Sequence, residues 1–401
     1  MHQIKRMSRK PHPWGAPPWT VDFLPGPRTL PERVDIAIVG GGFSGLSAAA
    51  WLRRLAPEKS VAVLEAASLG EGASGRTGGL ALPDTAAGPL PGLGDVLAGY
   101  KKILRVLRID ARLELPGVYE LGRTSRANNS PIAWNDSGTL QVVRRVPGGC
   151  VDPGKVVGGL ARAAEKAGAQ IFEHAHVHAV DFQRPLRLRV RHKFRGRIRE
   201  KEICAQQILL ATNAFSPELS ELRRSTASRL TLALATAPLS AAQLKAIGLS
   251  SRRGFYTIDF PYLWGRLLES NGVIFGSGLV PMPASFNVLN RDRARSRGGS
   301  SNLYRFDVRK GESAERLGWL ENRVRNLHPA FRFVRITHRW GGPILFTKKM
   351  RPVFRLHRRS KNVLVLAGYN GHGIALSVYL GKWAAEALLE RRALPSWSGR
   401  Y

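Results

Sequence analysis

The sequence predicts an α/β chain. Short parallel strands and helices at its two ends build one part, and an inserted antiparallel sheet builds another. Three observations carry this. Val34–Glu65 reads as strand, glycine turn, small-residue helix and second strand, the length of one crossover unit. Asn362–Arg391 repeats the strand, glycine turn and helix near the other end. Between them, residues 225–285 alternate apolar and polar residues in short runs separated by turn residues, the pattern of antiparallel strands.

Residues 1–33 predict an extended arm. Lys5, Arg6, Arg9 and Lys10 lead into prolines spaced from Pro11 to Pro31, and proline continues neither helices nor central strands. Val34–Val39 is a short apolar run with one acid, suited to a buried strand. Gly40–Gly45 turns into a helix over Leu46–Leu55, ended by Pro57, and Ser60–Leu64 is a second strand. Ser68–Leu82 is glycine-rich without periodicity, and residues 95–108 have helical spacing. Asp152–Gly168 predicts a helix with Pro153 in its first turn and Gly168 at its end. Phe172–Val180 and Leu186–Ile198 alternate as strands, the second with Arg187, Arg189 and Arg191 on an outer cationic face and a hairpin turn near Gly196. Ile208–Ala211 is a short buried strand, and Ser313–Leu327 a helix. Asn362–Ala367 is the last buried strand, running through Gly368–Gly373 into a helix over Ile374–Arg391. Arg291–Ser301 is a low-complexity Arg/Gly/Ser loop.

Composition narrows the class. The chain has 401 residues, 43% of them hydrophobic, which excludes disorder. Cys150 and Cys204 lie 54 residues apart with no CxxC spacing, which excludes a disulfide framework and a zinc ribbon. That usage fits a reducing, cytoplasmic compartment. Apolar runs such as Leu230–Leu239 fall short of the roughly 18 residues of a membrane span, and the basic N-terminus lacks the apolar region of a secretory signal. The net charge of +33 invites nucleic acid or anionic lipid as partners. No base-reading module or zinc knuckle is present, so no specific nucleic acid is expected and a solvated basic face is the simpler reading. His174, His176 and His178 alternate along one strand face, but no carboxylates accompany them and no metal is assigned.

The chemistry begins at Gly40-Gly41-Gly42-Phe43-Ser44-Gly45. Gly40, Gly42 and Gly45 form GxGxxG between a strand and a helix, and Glu65 closes the next strand 20 residues after Gly45. Gly40 permits the tight turn, Gly42 lets the backbone approach a pyrophosphate, and Gly45 lets helix and strand pack. The helix N-terminus offers free N–H groups to phosphate, and Glu65 accepts from a ribose diol while disfavouring a 2′-phosphate. The fingerprint alone does not choose FAD over NAD.

Three further blocks do. They are Gly72-Ala73-Ser74-Gly75-Arg76-Thr77-Gly78-Gly79, Ala211-Thr212-Asn213-Ala214, and Ala367-Gly368-Tyr369-Asn370-Gly371-His372-Gly373-Ile374. With them the chain, from Val34 to Leu389, resembles the FAD-dependent amine and amino-acid oxidoreductases of the D-amino-acid oxidase, glycine oxidase and sarcosine oxidase type. It is most similar to the γ-glutamylputrescine oxidoreductase-like branch, whose GASGRNGG segment it carries with Thr77 in place of Asn.

The resemblance implies a glutathione-reductase-like two-domain FAD fold. A Rossmann-type FAD domain would comprise 34–100, 150–225 and 335–395, an antiparallel-sheet substrate domain 101–149 and 226–334, and the arm 1–33. It implies FAD contacts at Gly40, Gly42, Phe43, Ser44, Gly45, Glu65, Ala66, Ala73, Ser74, Arg76, Thr77, Ala211, Thr212, Gly371, His372, Gly373 and Ile374, with Val177 facing the adenine. Arg76 would stabilise negative charge at the flavin edge. The helix starting at Ile374 would point its positive end at the pyrimidine edge, with His372 a backbone contact. On the substrate side Tyr256, Tyr262 and Trp264 would form walls and Arg266 would pair with a carboxylate. In Thr347-Lys348-Lys349-Met350-Arg351-Pro352 a lysine stands where the branch carries an acid. In some relatives a lysine near the flavin serves oxygen activation, which makes Lys348 or Lys349 a candidate for it, or part of a solvated turn. The C-terminal half has no cysteine, so non-covalent FAD is expected.

The implied reaction is oxidation of the C–N bond of a small amine or amino acid by hydride transfer to flavin, with O2 or another acceptor reoxidising it. Two alternatives stand beside it. One is a dehydrogenase in peripheral contact with anionic lipid, passing electrons to a respiratory acceptor. The other is a flavoprotein acting on or binding RNA.

Overall fold

Arg33–Val39 forms the central strand β1, fully or nearly buried from Ala37 to Val39 because both faces of its sheet are covered. A computed structural model describes residues 12–124, 129–215, 219–281 and 306–398. On one side β1 pairs in parallel with β2 (Val61–Leu64), and β2 with β8 (Gln170–Phe172). On the other it pairs in parallel with β11 (Arg197–Leu210), and β11 with β18 (Ser360–Ala367). β17 (Val353–His357) closes that edge antiparallel to β18.

β11 does two jobs. Its outer half pairs antiparallel with β10 (Leu186–Phe194), which pairs in turn with β9 (Ala175–Asp181). Its inner half runs parallel beside β1, from Cys204 opposite Arg33 to Leu210 opposite Val39. The return arm of the hairpin after Gly196 and the buried strand expected over Ile208–Ala211 are therefore one continuous element. The strand expected over Phe172–Val180 is instead broken at His174, which sits at φ 56°, so β8 ends and β9 departs into the meander. His174 leaves the strand face that carries His176 and His178.

Four helices cover one face: α1 (Phe43–Leu55), α2 (Val96–Val106), α3 (Pro153–Lys166) and α6 (Gly373–Leu388). Asp95 and Asp152 cap α2 and α3 by accepting from the Ala98 and Lys155 N–H groups. Ala48, Ala49 and Ala50 give α1 a slim flank, and Gly381 of α6 approaches so closely that a Cβ there would fall 2.5 Å from the Ser44 carbonyl.

The second sheet runs β16 (Ile336–Thr347), β12 (Thr226–Thr236), β15 (Val273–Pro281), β14 (Leu263–Leu267), β13 (Gly254–Thr257), β4 (Val118–Arg123), β6 (Thr139–Val146) and β5 (Ala133–Asn135). Only the β13/β4 contact is parallel. α4 (Ala241–Ala246) and α5 (Gly311–Leu327) flank it, over a core in which the rings of Trp134, Phe255, Phe275 and Phe331 meet edge to face or tilted. A short ladder, β3 (Leu80–Ala81) with β7 (Gly149–Cys150), completes the strands.

Two features exceed the sequence reading. β4 to β6 arise in a stretch where charged residues blur the alternation: Arg144 and Glu120 face each other across strands as an ion pair. β16 begins in the segment expected to belong to the cofactor part yet pairs along its length with β12. The described part of the arm is packed rather than free, with Trp14 fully buried, because two tryptophans carry too much apolar surface to leave in water. The basic N-terminus and the Arg291–Ser301 loop lie outside the described residues. No helix among the described residues is long and apolar enough to cross a membrane.

Candidate active site

The site starts where β1 meets α1. Gly40 takes φ 110°, a conformation that favours glycine, and a Cβ there would fall 2.7 Å from the Ala211 carbonyl. Gly45 lies on the carbonyl of Gly40 itself, at 2.0 Å from where its Cβ would be. Gly42 caps α1 without a side chain, and Ser74 supplies the missing acceptor: the Phe43 N–H donates to its Oγ at 3.0 Å. Beyond β2, the two Glu65 oxygens accept from the Gly41 N–H at 2.8 Å and the Ala67 N–H at 2.9 Å. Burial raises the Glu65 pKa, opposed by those two donors. Each oxygen keeps acceptor capacity for a diol.

Residues 72–78 fold over this turn. Arg76 is buried and committed: its Nε donates to the Glu71 carbonyl at 2.8 Å, and its Nη1 to the carbonyls of Gly15 at 2.8 Å, Trp14 at 3.3 Å and Gly341 at 3.4 Å. The Trp19 indole donates to the Gly75 carbonyl at 2.8 Å, and that of Trp340 to the Arg76 carbonyl at 3.0 Å. The guanidinium thus joins the arm, the glycine-rich loop and β16.

The third wall is the turn before α6. Asn370 accepts from the Thr347 N–H at 2.7 Å and donates to the Gly368 carbonyl at 2.7 Å, and Asn213 accepts from the Gly368 N–H at 2.9 Å. Ser44 of α1 and Tyr369 share a hydrogen bond between hydroxyls. His372 precedes α6 without capping it by its side chain, which leaves the helix's first N–H groups available. Burial depresses the His372 pKa, which favours the neutral imidazole.

The second sheet supplies the opposite side. A period of two sends Leu263 and Leu267 into the sheet's own core and turns Trp264 and Arg266 toward the glycine-rich loop. Trp264 stands against Gly78 and lines the cavity. Arg266 goes behind it: buried, it donates to the Gly78 carbonyl at 2.6 Å and the Leu267 carbonyl at 3.3 Å. It does not line the cavity, so the carboxylate partner expected there is spent on backbone. Tyr256 donates its hydroxyl proton to Glu120, which Arg144 also holds. Burial, and then Glu120, push the Tyr256 pKa up. Lys348 is exposed on the turn after β16 and is not brought to the cavity, which reaches that turn at Met350 instead.

These walls enclose one cavity of about 2340 Å3, well above the roughly 300–1,000 Å3 of a single small-molecule pocket. Gly40, Gly42, Phe43, Ser44, Glu65, Ala66, Ala73, Ser74, Arg76, Thr77, Val177, Ala211, Thr212, Gly371, His372, Gly373 and Ile374 all line it, as does the exposed Tyr262. Gly45 is the exception, lying beneath Gly40. The turn at Gly40, the α1 N-terminus and Glu65 fit a dinucleotide, and the open space above Gly371, where a Cβ would meet nothing, leaves room for a ring. The sequence reading missed the arm's part in the walls, at Pro13, Trp19 and Val21, and that of Trp340. The signal was there in Trp14 and Trp19, since tryptophan is a poor residue for a solvated arm.

The family described as FAD dependent oxidoreductase matches residues 35–387. The chain is 25% identical to a probable oxidoreductase OrdL of Haemophilus influenzae, over 92% of this chain and 86% of that one. It is also 25% identical to the γ-glutamylputrescine oxidoreductase of Escherichia coli K12, over 90% and 85% of the two chains. Its fold is similar to that of glycine oxidase from Geobacillus kaustophilus, with a TM-score of 0.65, 20% identity, and coverage of 90% and 96%.

Proposed function

We propose that this chain, which belongs to the FAD-dependent oxidoreductase family, oxidises the C–N bond of a small amine or amino acid. One observation carries the reading. Three blocks far apart in sequence, Gly40–Ser44, Gly72–Thr77 and Gly371–Ile374, converge on one cavity whose remaining side is an aromatic wall from a second sheet. FAD held there would supply the hydride acceptor for the carbon next to the nitrogen, whose C–N bond would become C=N.

The chain's own residues hold and shield. Glu65 takes the ribose diol, and the α1 N-terminus with Gly40–Gly42 takes the pyrophosphate. The N-terminus of α6 places its positive end where the ring would gain negative charge. Trp264 and Tyr262 line the cavity on the second-sheet side and would shield the reacting face from water. Arg76 acts here as a positioning residue, since four carbonyls occupy it. FAD is bound non-covalently and the enzyme is cytoplasmic in this reading, the latter supported by two free cysteines.

The purified chain, supplemented with FAD, should be yellow, release its flavin on acid denaturation, and bleach under anaerobic conditions with the right amine. Peroxide on readmitting air marks an oxidase; slow reoxidation without peroxide marks a dehydrogenase. Protein that stays colourless with added FAD overturns the proposal. A second reading, a dehydrogenase docked on anionic lipid, is favoured by Phe260, 75% exposed at the cavity mouth in a chain of net charge +33. Salt-sensitive sedimentation with anionic vesicles tests it.

A further inference from the structure

We propose that the N-terminal arm is a strap that retains the cofactor, with Trp19 as the positioning residue that holds the glycine-rich loop in its binding shape. This rests on the FAD-oxidoreductase reading and gives a role at that same site to a segment lying ahead of the cofactor fold.

The first observation is how the loop is held. Residues 72–78 belong to no helix or strand. Their backbone is fixed from outside: the Trp19 indole donates to the Gly75 carbonyl at 2.8 Å, and the Trp340 indole to the Arg76 carbonyl at 3.0 Å. Ser74, next to Gly75, caps α1 by accepting from the Phe43 N–H at 3.0 Å. An indole of the arm therefore helps set the part of the loop that reaches the proposed phosphate end of the site.

The second observation is what the arm spans. The Pro13 carbonyl accepts from the Val308 N–H at 2.7 Å, and the Trp14 carbonyl from the Gly341 N–H of β16 at 2.8 Å. His12 pairs with Glu71 at 3.2 Å. The Arg76 guanidinium stands over the Trp14 ring at 5.4 Å, and that of Arg266 over the Trp19 ring at 5.6 Å. Further along, the Thr20 carbonyl lies 2.3 Å from where a Cβ on Gly154 of α3 would be. The arm thus runs from the second sheet, across the glycine-rich loop, to a helix of the first.

The third observation is where this places it. Pro13, Ala16, Pro17, Trp19, Thr20 and Val21 line the same cavity as Ser74, Arg76 and Thr77. A ligand lying along the loop is enclosed on that side by the arm. Yet the arm joins the second sheet by a single bridge, Gly15 to Trp340, and otherwise by isolated hydrogen bonds and ring contacts. Such a segment can part from the loop while both sheets stay folded. Closure of the arm and binding of the cofactor then favour each other equally.

The test compares the apoprotein with the FAD-loaded protein under chymotrypsin, following cleavage after Trp14 or Trp19 by the mass of the large fragment. Trp14 is fully buried, so cleavage there requires the arm to open. Saturating FAD should slow it about tenfold or more. Trp19→Ala should release FAD about tenfold faster, the scale of one lost buried hydrogen bond, and should also take FAD up faster. A residue that only supported the fold would speed release without speeding uptake. Trp19→Phe keeps a ring without the N–H and should fall between. Equal cleavage with and without FAD, or none in either state, overturns the proposal, as does a Trp19→Ala protein whose release is unchanged or whose uptake is not faster. The cleavage comparison on the unmodified chain decides the matter if the variants fail to fold. Failure of the underlying reading looks different: the unmodified protein then retains no FAD.

Discussion

The indole of Trp264 lies so close to Gly78 that a Cβ on Gly78 would fall 2.0 Å from ring atom Cζ3. Gly276, on the adjacent strand, is pressed against the same ring, 1.9 Å from Cζ2 by the same measure. One ring is thus clamped between the glycine-rich loop of the cofactor side and a strand of the second sheet. That contact sets how the aromatic wall stands over the cavity.

Replacing Gly78 by Ala should therefore push Trp264 out of place. Overpacking of this kind costs about 1–3 kcal/mol. We expect a lower thermal midpoint together with a weaker flavin response to amines. A Gly78→Ala protein that melts and responds like the parent would show that the ring has room to move.

Glu65→Ala should lower FAD affinity. The substitution strands the Gly41 and Ala67 N–H groups, at about 1–3 kcal/mol for an unsatisfied buried donor, and removes the acceptor proposed for the ribose. Flavin fluorescence on dilution reads the release. The expected outcome is at least about a tenfold loss, with Glu65→Gln intermediate because it keeps one acceptor oxygen.

Asp136→Ala should be among the most damaging changes outside the cavity. Arg323, with only 5% of its side chain exposed, grips both Asp136 oxygens, at 2.6 and 2.9 Å, and Arg123 holds the same carboxylate. Removing the acid leaves a buried guanidinium uncompensated, which costs about 3–5 kcal/mol. Chemical denaturation should show this as a lower midpoint. The Tyr262 backbone should loosen with it, since Arg323 also donates to the Tyr262 carbonyl at 3.4 Å.

Acidification should destabilise the fold through histidine. Burial depresses the pKa of His192, His338, His357 and His372 below the usual value of 6.5. Their folded forms bind fewer protons than the unfolded chain just below that pH, so stability is present above about 6.5 and is lost as pH falls through the depressed values. Melting followed from pH 7.5 to 5 should show a steady decline, flattened in part by His357→Asn. A midpoint constant over that range would remove the claim.

How much of this was legible beforehand depends on the range of the forces involved. The turn at Gly40 and the spans of α2 and α3 are decided within a few residues, so pattern and spacing revealed them. The four blocks likewise named residues that the structure brings, nearly all, to the wall of one cavity. The β4–β6 strands were obscured, because Arg144 and Glu120 look like surface residues until they face each other across strands. Lys348 and Met350 share a turn, and only packing sends one to solvent and the other to the cavity.

Arg266 marks the boundary most clearly. Its place in the second sheet beside Trp264 was readable from the resemblance. Its use was not. The carbonyl it binds belongs to Gly78, 188 residues away, and the approach of that loop depends on two glycines and an indole meeting between the glycine-rich loop and the second sheet. By itself the sequence determined the cofactor fold, through local backbone preferences and short-range spacing. The tertiary structure alone decided which charged side chains reach the cavity and which are spent on backbone carbonyls, because that choice rests on packing between segments with no local correlation.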